Sequence, residues 1–340
     1  MGVSYTPVLL RGDERIALLE FHRIGDALMA LSTLEAVKRR YPNCKTVAVI
    51  DPIANGIAQY NPYIDEILLI DKKAPLLTTL KNIWRLRRKG VDVTLDSLGM
   101  PKTALVGWLL GAKIRVGMQI KRRLFYTHLI DTTGFEKLYS AIGRLSLTKA
   151  IDAFPDPLIY PKIWLDTPTK EAIFAHFTFL RPQGYATCAP ASKITAQHFS
   201  PQDWAVLLNR LAPHLAYPLY FFGSPQEAPF LEAIDAAIED KNTIRYITLR
   251  NADEIAYIQS SSLWHLCRDN GTKHISNAFS IPSFTVWDGI ADPICWISTN
   301  EAILDWNYDV ANGVAKTSQI DAIADAVLDY TATLQHTKGS

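Results

Sequence analysis

From Arg15 onward, short β-rich runs alternate with helical segments, a pattern that leaves little besides βα units laid into a parallel sheet. Residues 16–21 read as a first strand, and residues 27–40 as a helix whose apolar stripe is Leu28, Leu31, Leu34, Ala36 and Val37. Lys38-Arg39-Arg40 complement the negative end of that helix dipole. Strands at 46–50, 67–70 and 91–95 and a helix over 76–89 continue the alternation. The Pro-rich stretch from Phe154-Pro155-Asp156-Pro157 to Tyr160-Pro161 interrupts it and reads as a linker. Beyond it the scheme resumes, with strands predicted at 185–189, 219–222, 244–247, 263–267 and 283–286. Helices are predicted over 169–180, 201–212, 225–238, 252–259, 273–279 and 321–334, the last a candidate to cross back to the first half.

A chain of 340 residues exceeds one domain of ~150 residues, and the break near Tyr160 gives domains of 1–160 and 161–340. Net charge supports the division: residues 1–160 carry +8 and residues 161–340 carry −7, although the whole chain is only +1. The expected architecture is α/β, with two Rossmann-like, doubly wound domains and an intervening cleft where ligands meet the carboxyl ends of strands. With 48% apolar residues both halves can bury a core, which excludes a disordered chain. The cysteines Cys44, Cys188, Cys267 and Cys295 are scattered, so neither a disulfide framework nor a structural zinc site is indicated and a reducing compartment is expected. The longest apolar run, residues 104–111, falls far short of the ~20 residues of a membrane span.

His22-Arg23-Ile24-Gly25-Asp26 joins the first strand to the first helix at the carboxyl edge of the sheet. Gly25 permits close backbone approach, and Asp26 beside a helix N-terminus is held ionised, as a general base requires. The bland alternative is that Asp26 caps the helix, and spacing alone slightly favours the cap.

The same residues carry a resemblance. Arg23-Ile24-Gly25-Asp26-Ala27-Leu28, the Leu-rich helix ending in Arg39-Arg40-Tyr41-Pro42, Val49-Ile50-Asp51-Pro52 and Asn61-Pro62-Tyr63-Ile64-Asp65-Glu66 occur in the order found in glycosyltransferase family 9, the lipopolysaccharide heptosyltransferases. Gly111-Ala112-Lys113-Ile114-Arg115-Val116-Gly117, and Asp269-Asn270-Gly271-Thr272-Lys273-His274-Ile275 followed by Ile281-Pro282, are similar to later signatures of that family. Together they span most of residues 15–290. The resemblance implies a GT-B fold and an inverting, metal-independent transferase without a cofactor, in which Asp26 is the base toward the acceptor hydroxyl. It also implies a nucleotide-sugar donor, ADP-heptose by default, an anionic lipid-linked glycan acceptor, and work in the cytoplasm, peripherally at the inner membrane. Two rivals stay open: a sugar-nucleotide epimerase of the same architecture, and a noncatalytic glycan-binding paralogue.

The donor site implied by the resemblance comprises Ser192, Lys193, Gln197, Glu227, Asp269, Gly271, Thr272, Lys273 and His274. Gly271 and Thr272 open a helix whose free N–H groups favour phosphate oxygens; Thr272 adds a hydroxyl and Lys273 a charge. The alternative has Asp269 capping that helix and His274 satisfied within it. Glu227, after Phe222-Gly223-Ser224-Pro225-Gln226, matches a turn that places a carboxylate on the nucleotide ribose; otherwise it is a first-turn acid favoured by the dipole. The loop from Ala191 to Pro201 departs from the family pattern, because Gln197 stands where a Lys is usual.

Residues 97–130 contain Lys102, Lys113, Arg115, Lys121, Arg122 and Arg123 and no acidic residue. Such a surface attracts an anionic acceptor or lipid headgroups, and Arg23, Lys102, Arg115, Lys121, Arg122 and Arg123 are the acceptor-side candidates. The interleaved Trp108, Phe125 and Tyr126 also suit nucleic acid, which the near-zero overall charge ranks third.

Lys193 is the nearby charge that can stand in for the Lys replaced by Gln197. Lys193→Ala is therefore expected to weaken donor affinity and turnover, measured by titration and initial rates; unchanged values of both would end the compensation idea.

Overall fold

The computed structural model describes residues 6–71, 73–118, 124–131, 137–192, 199–251, 253–287, 293–310 and 316–337. The chain forms two compact units, residues 1–166 with 294–296, and residues 167–293 with 297–340.

In the first unit the elements are β1 (Arg15–Glu20), α1 (Ile24–Arg40), β2 (Lys45–Ile50), α2 (Asn55–Ala58), β3 (Glu66–Leu69), α3 (Leu76–Arg88), β4 (Val93–Asp96), α4 (Pro101–Leu109), β5 (Ile114–Gly117), β6 (His128–Leu129) and α5 (Ser140–Leu145). The six strands pair in parallel in the order β3-β2-β1-β4-β5-β6. Strand β1 is apolar on both sides because both sides are covered: Ile16, Ala17, Leu18 and Leu19 are all fully buried. Ala17 and Leu19 join Val47, Val49, Ile83, Leu86 and Val106 in one core cluster under α3 and α4. Gly107 allows α4 to lie this close, since a Cβ there would meet the Leu19 side chain at 3.2 Å.

The second unit comprises α6 (Thr167–His176), β7 (Ala186–Ala189), α7 (Pro201–Leu211), β8 (Leu219–Phe221), α8 (Ala228–Ala236), β9 (Ile244–Tyr246), α9 (Asp253–Gln259), β10 (His265–Arg268), α10 (Gly271–Ala278), β11 (Ser283–Trp287), β12 (Asp305–Asp309) and α11 (Lys316–Thr337). Its six parallel strands run β12-β11-β10-β7-β8-β9. Each unit thus has the Rossmann strand order, three strands wound one way from the first and three the other, and each has a switch point: β1/β4 in one, β7/β10 in the other. The core of this unit is aromatic, with Phe284 stacked on Trp306 at 4.5 Å and Trp264 edge-on to Phe284 at 6.0 Å. Ile320, Ile323, Ala324 and Val327 of α11 pack into this core beside α7.

The sequence reading places no element between residues 95 and 169, where the structure has α4, β5, β6 and α5, and α11 packs in the core of the second unit rather than crossing back to the first. The helix expected over 225–238 divides into a tight 3-10 turn at Pro225–Glu227 and α8, because Pro229 has no N–H to continue the ladder. Strand β12 carries Asp at both ends and alternates Trp306 and Tyr308 with polar residues, so it lacks the apolar run that marks the central strands. No helix among the described residues is long and apolar enough to cross a membrane.

Phe284→Ala removes the ring on which Trp264 and Trp306 pack. It is expected to cost about 3–5 kcal/mol, seen as a lower urea midpoint; an unchanged midpoint would show that this stack is not the keystone of the second core.

Candidate active site

At the first switch point, strand β1 ends on Glu20 and β4 on Asp96, with Leu19 paired to Asp96 across the sheet. The chain then enters α1 through His22 and Arg23. Arg23 is the residue preceding the helix, with extended backbone and no side-chain cap. Asp26 sits in the first turn and does not cap it. Its Oδ1 accepts from Arg144 Nη2 at 2.6 Å, and its Oδ2 faces His22 Nδ1 at 3.1 Å. The side chain is 13% exposed.

Arg144, on α5, is buried and shared. Its Nε lies 3.6 Å from Glu20 Oε2 while Nη2 holds Asp26, and Nη1 donates to the Ser140 hydroxyl. Glu20 is fully buried, with Oε2 accepting from Ser97 Oγ at 2.5 Å and Oε1 without a hydrogen-bond partner among the described residues. Burial outweighs the help of Arg144 and Ser97 and raises its carboxyl to about 7, with Asp26 and Asp96 pushing the same way. Burial likewise raises Asp96, which accepts from Tyr126 O–H at 2.6 Å and from the N–H groups of Leu98 and Gly99. The Tyr126 ring reaches Asp96 by lying on Gly117, where a Cβ would come within 2.7 Å of it. Three carboxyl groups therefore converge on the strand ends, with Asp26 the one that solvent reaches.

Among the acceptor-side candidates, Arg23 and Lys102 are exposed. Arg115 has a different employment: its guanidinium donates to the carbonyls of Phe125 at 2.7 Å and Ala112 at 2.6 Å, so it staples the β5–β6 connection. Lys121, Arg122 and Arg123 lie outside the described residues.

The second switch point is knotted by Asn270, the residue that caps α10. Its Nδ2 donates to the carbonyls of Ala189 at 3.1 Å and Ala191 at 2.9 Å, beyond β7, while its Oδ1 accepts from Thr272 N–H at 2.9 Å and Thr272 Oγ1 at 2.5 Å. Thr272 has then given its proton away, so it accepts from His265 Nε2 at 2.8 Å, and His265 Nδ1 accepts from Thr187 at 2.9 Å. Burial drives His265 down to about 3, so the ring is neutral and this tautomer is locked.

Cap and helix body are thus assigned differently from the expectation. The cap is Asn270 rather than Asp269, which lies partly exposed beside it. Lys273 does not present its charge at the helix opening: it is fully buried, with Nζ 3.1 Å from Asp305 Oδ2, 2.8 Å from Asn307 Oδ1 and over the Trp287 ring. Burial lowers its pKa, and Asp305 of β12 works in the opposite direction by favouring the ammonium. His274 is buried and Ser192 nearly so, whereas Gly271 remains partly exposed. Glu227 closes a cap, with Oε2 accepting from Ser224 N–H at 2.6 Å and Ser224 O–H at 2.7 Å. Lys193 and Gln197 lie outside the described residues.

Glu20, Arg144, Asn270 and His265 were not singled out from the sequence. For Glu20 a signal existed, a charge closing an otherwise apolar two-sided strand. Arg144 stands 118 positions from Asp26, and nothing local marks it.

Two doubly wound units with open switch points describe many proteins, and the comparisons decide among them. The model of "Glycosyltransferase family 9 (heptosyltransferase)" matches residues 80–302. The chain belongs to glycosyltransferase family 9. Among solved structures, a family 9 glycosyl transferase of Veillonella parvula is 16% identical, with 94% of this chain and 99% of that one covered at a TM-score of 0.78. The ADP-heptose lps heptosyltransferase II of E. coli is 17% identical, with coverage of 96% and 100% and a TM-score of 0.77. The E. coli heptosyltransferase WaaC with ADP is also 17% identical, covering 94% and 99% at 0.71. At such identities these likenesses establish the fold, which is GT-B.

Glu20 provides a test of the buried cluster. Between the ordinary 4.5 and about 7 the native state keeps a proton that the unfolded chain has lost. Stability present below that window therefore declines as pH rises through it. Glu20→Gln removes the titration, so its melting temperature relative to the parent is expected to climb from about pH 5 to about pH 8; a constant difference would mean that Glu20 does not titrate in this range.

Proposed function

We propose that this family 9 chain is an inverting, metal-independent transferase. It moves a sugar, by default heptose from ADP-heptose, onto a hydroxyl of an anionic, lipid-linked glycan of the lipopolysaccharide-core type. The observation that carries the reading is the setting of Asp26: a carboxyl group at a sheet switch point, fixed by a buried guanidinium through one oxygen, on a side chain that is 13% exposed. Oδ1 is committed to Arg144 at 2.6 Å, while Oδ2 holds only the longer contact to the partly exposed His22. Oδ2 is therefore the oxygen that takes the proton.

The acceptor oxygen loses its proton to Asp26 and forms a bond to the anomeric carbon. The bond from that carbon to the nucleoside diphosphate breaks, and the diphosphate leaves with the electron pair from the opposite face, inverting the centre. The state between is oxocarbenium-like, as in glycoside hydrolysis. General-base assistance is worth ~10²–10⁴-fold, and the remainder comes from positioning and from stabilising the departing diphosphate.

On the donor side, the opening of α10 at Gly271 supplies N–H groups and a helix dipole to phosphate oxygens. Asp269, Ser192, His274 and the loop bearing Lys193 and Gln197 surround that role in sequence, and Glu227 is the ribose candidate. Thr272 serves best as a rigid element, since its hydroxyl is already committed to Asn270 and His265. Lys273, ion-paired to Asp305, builds the floor beneath the turn. The choice of donor is supported by related solved enzymes that carry ADP and ADP-2-deoxy-2-fluoro heptose.

Asp26→Asn is expected to lower transfer by ~10²–10⁴-fold while the donor still raises the melting temperature; transfer at the parent rate would remove Asp26 from the mechanism. Across ADP-, UDP-, GDP- and CMP-sugars, the parent is expected to show a selective, EDTA-insensitive thermal shift with the ADP-sugar. A selective shift with another nucleotide would redirect the donor assignment.

A further inference from the structure

Helix α3 has two apolar faces and needs only one. Thr79, Ile83 and Leu86 are buried against the sheet, whereas Leu76 is 72% exposed, Leu77 81% and Trp84 54%, with Leu80 also turned to solvent. Leu76, Leu80 and Trp84 recur at four-residue spacing, so they form one stripe along the helix. Neighbouring α4 adds exposed Leu105 and Trp108, and Arg87 ties the two helices by donating to the Leu109 carbonyl at 2.8 Å. An open groove of about 500 Å³ runs between them, lined by Leu80, Trp84 and Leu109 among others.

Along the two helices themselves the charge has a single sign. Residues 72–91 contain no Asp or Glu, and neither do residues 97–130. Lys81, Arg85 and Arg88 on α3 are exposed, and the Arg88 guanidinium lies 3.7 Å over the Trp84 ring, a stack that leaves the ring amphipathic. Exposed leucines and tryptophans flanked on their own helix by lysine and arginine are what an interfacial helix presents to headgroups and acyl chains, and the nearby Glu66 is itself ion-paired to Lys89 and Arg15. A nucleic-acid surface would have no use for the leucines, since it stacks bases on aromatic rings.

We propose that the α3–α4 face docks flat on an anionic lipid bilayer, with Leu76, Leu77, Leu80 and Trp84 entering the interface and Lys81, Arg85 and Arg88 at the headgroups. The inference stands apart from the chemistry at Asp26, and it gives the enzyme a way to meet an acceptor that is itself lipid-linked.

Flotation of the full chain with vesicles of phosphatidylcholine alone, and of phosphatidylcholine with about one-third phosphatidylglycerol, tests it at low and high salt. The expected result is binding to the anionic vesicles that falls at least about tenfold at high salt. Leu77→Glu/Trp84→Glu and Lys81→Glu/Arg85→Glu should each lose at least about tenfold of that binding. All these side chains are exposed, so melting temperature and transfer to a delipidated, soluble acceptor should match the parent. Absence of binding by the parent, equal binding to neutral vesicles, or undiminished binding by both variants would overturn the proposal. Loss of transfer in solution with vesicle binding intact would instead count against the enzymatic reading.

Discussion

A parallel sheet has to be covered on both faces, and everything functional in this molecule follows from how the chain meets that requirement. Each crossover carries a helix back over the sheet, and each unit winds three strands one way before reversing. At the reversal the two central strands send their following loops in opposite directions, and the carboxyl edge stays open. Glu20 and Asp96 end the strands at one such opening, while Ala189 and Arg268 end them at the other.

The two openings are equipped differently. In the first unit, one buried guanidinium serves two carboxylates. Arg144 grips Asp26 closely and Glu20 more loosely, and Glu20, left short of partners, has its carboxyl raised by burial. Three acidic groups thus gather around a single cation, which holds Asp26 in place and leaves Glu20 with a raised pKa. In the second unit, the lysine and histidine nearest the opening present no free charge to it. Lys273 is matched by Asp305, His265 is neutral, and the turn is held by an amide and two hydroxyls. At that opening stand the first N–H groups of α10, with Arg268 and Asp269 at the end of β10.

Much of this was legible in order but not in contact. The strand-helix rhythm located β1, α1, β2 and β7 to within a few residues, because buried two-sided strands are apolar throughout and α1 shows its stripe openly. The family resemblance rested on Gly25-Asp26 and on the Asp269–His274 segment, and the family model matches residues 80–302, which include the second of these. What a motif cannot convey is which of its residues turns outward. Within Asp269-Asn270-Gly271-Thr272-Lys273-His274, the bland-looking Asn270 is the knot, and the charge on Lys273 faces a distant strand. Arg115, read as an anion contact, is spent on two carbonyls because the β5–β6 connection folds back over it.

By itself the sequence determined the doubly wound class, the pairing of helices with strands and the placing of Asp26 at a strand-to-helix junction. All of these are local, set by the period of apolar residues and by chain geometry. Only the tertiary structure decided the electrostatic state of the site. Arg144 reaches Asp26 across 118 positions, Asp305 reaches Lys273 from the far edge of the second sheet, and burial sets the charge of Glu20. Desolvation and ion pairing depend on which side chains are neighbours in space, and a linear chain does not carry that information until it has packed.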